Sequence, residues 1–238
     1  MSASQWQARG LAIGGVTGAL VLSLFLGLST ADLTSVRGAL DATRTTSPLT
    51  ASGWTTSAVG VGTGALDGGV FTASAANGAG GGGNAGGETT RAFPVSSSRW
   101  TLVCRVAKTG TSASEWIVIV TVNTGATYTY ALARADGNIH YNTGSGLSGG
   151  TSFPVNGTGW MSIRYDGARV VYRYGTGTTT TPPTSWTLLY DAIVMTGRAV
   201  PPTAITLTGR TNAGLTLGAD STWVVDHLTV TDDSPGGS

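Results

Sequence analysis

Two alternating runs joined by Asp166 and Gly167 constrain the fold of this chain more than any other feature. In each run apolar residues alternate with polar ones, which is the period of a β-strand with one buried face. An Asp-Gly pair favours a tight turn in which both residues take positive φ. The pattern predicts a β-hairpin over residues 160–174, whose shared apolar face consists of Met161, Ile163, Tyr165, Val170, Tyr172 and Tyr174.

The composition favours further short strands and tight turns over long helices. Charged residues make up 11% of the chain, and 37 of its 238 residues are glycine. Surface helices need more Glu and Lys than this. We therefore predict a mainly β protein, a two-sheet antiparallel jelly-roll sandwich over residues 46–233, with an N-terminal helical segment over 1–45 and a polar tail over 234–238.

The order of runs and turns predicts where the strands lie. Residues 115–123 are apolar on both faces, which predicts a strand in the middle of a sheet. Residues 77–87 and 144–150 are predicted to be loops, the first of them flexible, and residues 176–183 an exposed connection. The other predicted strands are 53–64, 69–75, 99–107, 128–135, 139–142, 186–190, 204–208, 215–217 and 222–231, with a turn at 66–68.

Residues 10–31 carry no charge and leave three alternatives open. The segment is long enough to span a bilayer, and it also has the basic start and small residues of a secretory signal peptide. The third alternative, which we favour, is a helix buried in an assembly, because glycines four residues apart permit close helix contact. The residues of this assembly helix are Gly14, Gly18, Leu20, Leu24 and Phe25.

Charge and cysteine content exclude several classes of partner and cofactor. The net charge is +1 and no run of Lys or Arg occurs, so we expect no nucleic-acid partner. Cys104 is the one cysteine and lies in an apolar alternation, which predicts a buried free thiol. Asp232 and Asp233 favour a solvated tail over a calcium site. We expect no metal and no cofactor.

The residues that enzymes use for catalysis are present but lie in the wrong context. Glu88 and Glu115 are far apart in sequence and lack the spacing of a glycanase acid pair. Ser148 lies in a G-x-S-x-G match, but no strand-to-helix turn surrounds it. Asp226 and His227 point to opposite faces of a regular strand, which excludes a dyad. The chain is therefore predicted not to be an enzyme.

Four aromatic residues are candidates for stacking on a sugar ring. They are Trp54, Tyr141, Trp186 and Tyr190, and each is also compatible with packing in the core. Core packing is the commoner role of aromatic residues in a sandwich. The pattern therefore does not name a carbohydrate-binding site.

Three motifs resemble the concanavalin A-like jelly roll, in the superfamily of lamininG-type and legume-lectin-type domains. They are the hairpin from Gly159 onward, Trp186 within Ser-Trp-Thr-Leu-Leu, and the last strand, Val-Asp-His-Leu-Thr-Val from Val225. The resemblance covers residues 50–233 and implies a two-sheet sandwich. The superfamily includes lectins, glycanases, adhesion modules and virion proteins, so the fold alone does not specify the function.

The chain as a whole also resembles minor tail or fibre proteins of phages that infect G+C-rich bacteria. It is rich in Gly, Thr and Arg, its one lysine is Lys108, and an apolar segment precedes the β-rich part. The resemblance implies a virion structural protein on the tail or capsid exterior that contacts other virion proteins through its N-terminal helix. It also implies a homo-oligomer, with a trimer favoured, and a host-surface glycan as ligand. The alternative is a membrane-anchored or secreted bacterial surface lectin.

Overall fold

The computed structural model describes residues 45–96, 99–110, 116–123, 129–135, 138–143, 147–152, 157–193, 202–211 and 216–233. Within these ranges the chain forms strands and one short 3-10 turn, Pro48–Thr50. The strands are β1 (Thr45–Thr46), β2 (Thr55–Val59), β3 (Thr63–Asp67), β4 (Val70–Ala75), β5 (Gly86–Ala92), β6 (Trp100–Thr109), β7 (Trp116–Asn123), β8 (Thr129–Ala135), β9 (Asn138–Thr143), β10 (Leu147–Ser152), β11 (Gly157–Tyr165), β12 (Arg169–Thr176), β13 (Thr187–Ile193), β14 (Ala204–Arg210) and β15 (Ser221–Asp232).

The strands form two antiparallel sheets, which confirms the predicted fold class. Sheet A has the order β13-β12-β11-β6-β15-β4-β3, with β1 paired to β15 beside this path. Sheet B has the order β10-β9-β8-β7-β14-β5-β2. Strands distant in sequence are neighbours in space, as in jelly rolls and Greek-key sandwiches. The prediction that residues 115–123 form a central strand is confirmed, because β7 is the fourth of the seven strands of sheet B.

The predicted hairpin is β11 and β12, and its register places the predicted apolar residues opposite one another. Ile163 pairs with Tyr172, for example, and the strands join at residues 166–168. The turn differs from the prediction, because positive φ occurs at Gly167 (96°) but not at Asp166. Instead, the Asp166 carboxylate accepts hydrogen bonds from the backbone amides of Ala168 (3.0 Å) and Arg169 (2.8 Å).

The hydrophobic core lies between the two sheets. In β6 buried and half-buried residues alternate over its whole length, which is the pattern predicted from the sequence. Cys104 is fully buried with a free thiol, which confirms the predicted buried cysteine. Burial, and then the nearby charge of Asp226, raise the pKa of this thiol. Core residues of sheet A include Phe71, Trp100, Leu102, Met161, Ile163 and Trp223, and those of sheet B include Ile139, Ile205 and Leu207.

Several predicted boundaries were wrong where small residues form strands. Residues 53–64 contain β2 and the start of β3 instead of one strand, β5 was not predicted, and β10 begins inside the predicted loop 144–150. Gly, Ser and Thr produce no apolar alternation in the sequence. Whether such residues form a strand therefore depends on pairing with neighbouring strands. The predicted turn at 66–68 lies one residue later, between β3 and β4.

The glycine-rich segment after β4 is held by the chain near its C-terminus. Leu217 donates its amide to Ala79 (2.9 Å) and accepts the amide of Gly78 (2.9 Å), and Ala79 is buried. The prediction of a flexible surface loop was therefore wrong, as was a strand at Leu217, which lies outside the strands. The pairing partner is 138 or more residues away, so local composition does not reveal it.

Residues 1–44 lie outside the described residues. The predictions for the assembly helix and for residues 10–31 therefore remain predictions, as do the boundaries of the helical segment, sandwich and tail. Among the residues that are described, no helix has the length and apolarity needed to cross a bilayer.

Candidate functional site

A β-bulge interrupts the outer face of sheet A in β15. The register between β15 and β6 shifts between Asp226 and Thr229, so that His227 and Leu228 together take the place of one residue. His227 has φ of 47°, the one positive value among non-glycine residues in the described ranges. This backbone region is unfavourable for a residue with a Cβ. Bulges and such outliers often occur at functional sites, where they re-aim a side chain.

The bulge places His227 on the same side of the sheet as Asp226. Leu228 points into the core and is 1% exposed, whereas His227 is exposed and its ring lies 6.1 Å from that of Trp160. Asp226 and His227 also line a common pocket. The prediction that they point to opposite faces was wrong, because it assumed a regular strand.

Asp226 forms a bidentate ion pair with Arg105 of β6. Arg105 donates from Nε to Oδ1 (2.8 Å) and from Nη2 to Oδ2 (2.5 Å), and each side chain is 16% exposed. The hydrogen bond to Asp226 raises the pKa of Arg105, while partial burial acts in the opposite direction. Arg105 also donates from Nη1 to the carbonyl of Thr178 (3.2 Å). The carboxylate is therefore fixed in place, and the pair as a unit carries no net charge.

A pocket of about 350 Å³, which we call the bulge pocket, opens beside this ion pair. Its lining residues come from the segments 47–50, 68–70 and 226–228. Ligand pockets in proteins start at roughly this volume and combine apolar walls with a few polar groups. The apolar side chains here are Leu49, Val70 and Leu228, and the polar ones are Ser47, Thr50, Asp226 and His227.

The first wall of the bulge pocket is the 3-10 turn, and two side chains anchor it. The Pro48 carbonyl accepts hydrogen bonds from Trp54 Nε1 (2.7 Å) and from Arg91 Nη1 (3.0 Å). The Arg91 guanidinium also lies over the Trp54 ring, 5.7 Å from its centroid. Trp54 therefore supports the pocket from behind and packs against the core, the more common of its two predicted roles.

The second wall is the tight turn between β3 and β4. Gly68 (φ 55°) and Gly69 (φ 81°) form a two-residue loop with positive φ at both positions, which suits glycine. A Cβ on Gly69 would lie 2.9 Å from Thr50 Cγ2, so the turn packs closely against the first wall. This contact closes one side of the bulge pocket.

The four candidate aromatic residues do not form one platform. Tyr141 of β9 and Tyr190 of β13 stack with centroids 4.2 Å apart at 12°, and Tyr190 is 38% exposed at the edge of sheet A. Burial, followed by the neighbouring Tyr190, raises the pKa of Tyr141. Trp54 precedes β2, which is the edge strand of sheet B farthest from Tyr141 in β9. Trp186 immediately precedes β13 and is half-buried.

The other predicted candidates have structural contacts or lie outside the description. Ser148 lies within β10, so it is not at a strand-to-helix turn. Glu88 accepts a hydrogen bond from Thr208 (3.2 Å), whereas Glu115 is not among the described residues. Asp233 accepts a hydrogen bond from the Thr101 hydroxyl (2.5 Å), so the prediction of a solvated tail at this residue was wrong. In the described part of the chain, no three His, Cys, Asp or Glu side chains cluster as metal ligands.

Comparison with known proteins matched the fold alone. No family model and no curated protein matches the sequence. The CBM2 module of the evolved Dit of Lactobacillus casei BL23 phage J-1 superposes with a TM-score of 0.53 and 14% identity, over 79% of this chain and 94% of that chain. The exoplasmic/lumenal domain of VIP36, bound to Ca²⁺ and Man3GlcNAc, gives a TM-score of 0.52 and 9% identity over 78% and 85%.

Winged bean acidic lectin, complexed with methyl-α-D-galactose, gives a TM-score of 0.52 and 10% identity over 76% of this chain and 93% of that chain. Identities this low show a shared fold and do not transfer a binding site. The described residues therefore share the two-sheet β-sandwich fold of these three structures.

Proposed function

We propose that this protein is a non-enzymatic phage virion protein whose β-sandwich binds a glycan on the host surface. The observation that carries the proposal is the bulge pocket, whose lining combines a fixed carboxylate, an imidazole and two hydroxyl side chains with the half-buried Val70 and with two core residues, Leu49 and Leu228. Sugar rings present hydroxyl groups at their rim and C–H groups on their faces, so they need this mixture of contacts. The neutral Arg105–Asp226 pair favours an uncharged sugar over an acidic one.

The fold supports this proposal in general terms. Two of the similar structures were solved with a sugar, and a third is a module of a phage protein. The bulge that forms the pocket is a feature of this chain's own β15.

The pocket is better suited to binding than to glycan hydrolysis. Hydrolysis commonly uses two carboxyl groups about 5–9.5 Å apart, one of which donates a proton. Among the described residues that line the pocket, Asp226 supplies the one carboxylate. Both of its oxygens accept hydrogen bonds from Arg105, so the pocket does not present the pair of carboxyl groups that hydrolysis uses.

The N-terminal segment supplies the second half of the proposal, assembly into the virion. A helix with Gly14 and Gly18 on one face and Leu20, Leu24 and Phe25 around it is stable when other helices bury it. We expect residues 1–45 to pack with other copies, as a trimer, and with other virion proteins, leaving the sandwich exposed. Analytical ultracentrifugation of the full chain tests this: the wild type should sediment as a trimer, and a Gly14→Leu/Gly18→Leu variant should not.

Glycan-array binding of the full chain tests the site. The wild type should bind neutral glycans, and His227→Gly should weaken that binding about tenfold or more while preserving the left-handed backbone. His140→Ala is the matched control, because it removes the other histidine, which lies in β9 of sheet B. Equal binding by His227→Gly and the wild type, or binding by neither, would contradict the proposal.

A further inference from the structure

Trp160 is an outward-facing tryptophan that is nevertheless buried. It lies in β11 of sheet A, where it pairs with Arg105 on one side and Gly175 on the other. Met161 and Ile163 of β11 belong to the hydrophobic core between the sheets. Because side chains alternate between the two faces of a strand, the Trp160 side chain is on the outer face. Its exposure is only 1%.

The connection between β12 and β13, residues 177–186, covers Trp160. It touches the sheet on both sides of the tryptophan: the Thr178 carbonyl accepts a hydrogen bond from Arg105, and Pro183 lies against Gly175. A Cβ on Gly175 would be 2.5 Å from Pro183 Cγ, so only glycine allows this approach. Residues 178–182 are otherwise exposed and lie outside the sheets, so few contacts hold the connection down.

The indole N–H of Trp160 is a buried donor to which no described residue offers an acceptor. Buried donors are normally paired, so an unpaired one needs a physical explanation. The ring also lies against His227, which lines the bulge pocket. Arg105 links the two features, because it binds Asp226 of the pocket and Thr178 of the connection at once.

We propose that Trp160 is the aromatic part of the glycan site and that the connection 177–186 moves away when a sugar binds. The ring of a neutral pyranose then stacks on the indole, a sugar hydroxyl accepts the indole N–H, and the remaining hydroxyls reach His227 and Asp226. This inference rests on the proposed function. It adds the aromatic surface that the bulge pocket lacks and gives the orphan donor a partner.

Fluorine NMR of the full chain labelled with 5-fluorotryptophan tests the inference. Trp160→Phe assigns the Trp160 signal, and the probes are the methyl α-glycosides of D-galactose, D-glucose and D-mannose. We expect the best-binding glycoside to shift the Trp160 signal and to bind Trp160→Phe about tenfold more weakly. Trp223→Phe is the matched control, because Trp223 is fully buried on the inner face and its indole N–H also lacks a described acceptor. It should keep wild-type affinity.

The possible results separate the two proposals. A glycoside that binds the wild type and Trp160→Phe equally, with the Trp160 signal unmoved, overturns the inference and leaves the proposed function standing. If Trp160→Phe and Trp223→Phe lower the affinity for the glycoside equally, the inference is also overturned, because lost stability then accounts for the effect. If none of the three glycosides binds the wild type, this inference fails together with the neutral-sugar form of the proposed function.

Discussion

Glycine and valine should have opposite effects at two positions of the same strand, His227 and Thr229. His227 has a left-handed backbone at the bulge, whereas Thr229 has resumed regular pairing with Val103 of β6. Glycine tolerates the left-handed region and weakens an extended strand, and valine does the reverse. The order of stability of the Gly and Val variants should therefore invert between two residues that are only two positions apart.

The magnitudes follow from the local geometry. A left-handed backbone costs a residue with a Cβ about 1–2 kcal/mol, which His227→Gly recovers. The variant loses about 0.5–1 kcal/mol to the greater backbone freedom of glycine in the unfolded chain. It also loses roughly 0.5–1 kcal/mol of ring contact with Trp160. His227→Gly should thus change the free energy of unfolding by less than about 1 kcal/mol, whereas His227→Val should lower it by about 1–3 kcal/mol.

At Thr229 the expectation reverses. Thr229→Val should be nearly neutral, and Thr229→Gly should lower the free energy of unfolding by about 1 kcal/mol. Urea denaturation followed by tryptophan fluorescence measures all four variants, and about 1 kcal/mol corresponds to roughly 2–4 °C in thermal midpoint for a domain of this size. Equal stability of His227→Val and His227→Gly would contradict the left-handed backbone of His227 at the bulge.

Three further predictions concern the connection, the hairpin turn and the core. Gly175→Ala should push Pro183 off the sheet, lowering the free energy of unfolding by about 1–3 kcal/mol and speeding hydrogen exchange in residues 177–186; unchanged exchange there would contradict the packing described. Burial raises the pKa of Asp166, but backbone amides and two arginines outweigh it, so its pKa lies below the ordinary 3.8. The stability it contributes is present above pH 3.8 and is lost as pH falls through the lower folded pKa, so the stability gap between wild type and Asp166→Asn should be constant near neutrality and shrink below about pH 4, as measured by urea denaturation across pH. Burial raises the pKa of the Cys104 thiol, so a thiol-reactive dye should label the protein only in denaturant, and labelling of the native protein would place Cys104 outside the core.

Much of the sandwich was predictable because its larger strands carry an alternation of big apolar residues. The hairpin of β11 and β12, the long strand β6 and the central position of β7 all follow from that period. Strands β5 and β10 escaped prediction because Gly, Ser and Thr carry no such signal. They are strands because neighbours in sheet B accept their backbone hydrogen bonds.

The bulge left a signal in the sequence that regular alternation obscured. Buried residues of β15 occur at Trp223 and Val225, and then at Leu228 and Val230, so one interval is three residues instead of two. A strand can keep all four in the core only by accommodating an extra residue. That interval would have corrected the prediction that Asp226 and His227 face opposite sides.

The sequence by itself determined the fold class, the hairpin and the buried thiol, because hydrophobic period and turn chemistry are local properties of the chain. Only the tertiary structure decided the candidate site. The bulge pocket joins segments near residues 48, 69 and 227, and the cover over Trp160 depends on contacts with Arg105 and Gly175. No local sequence pattern encodes these contacts, because they form when strands distant in sequence become neighbours in one sheet.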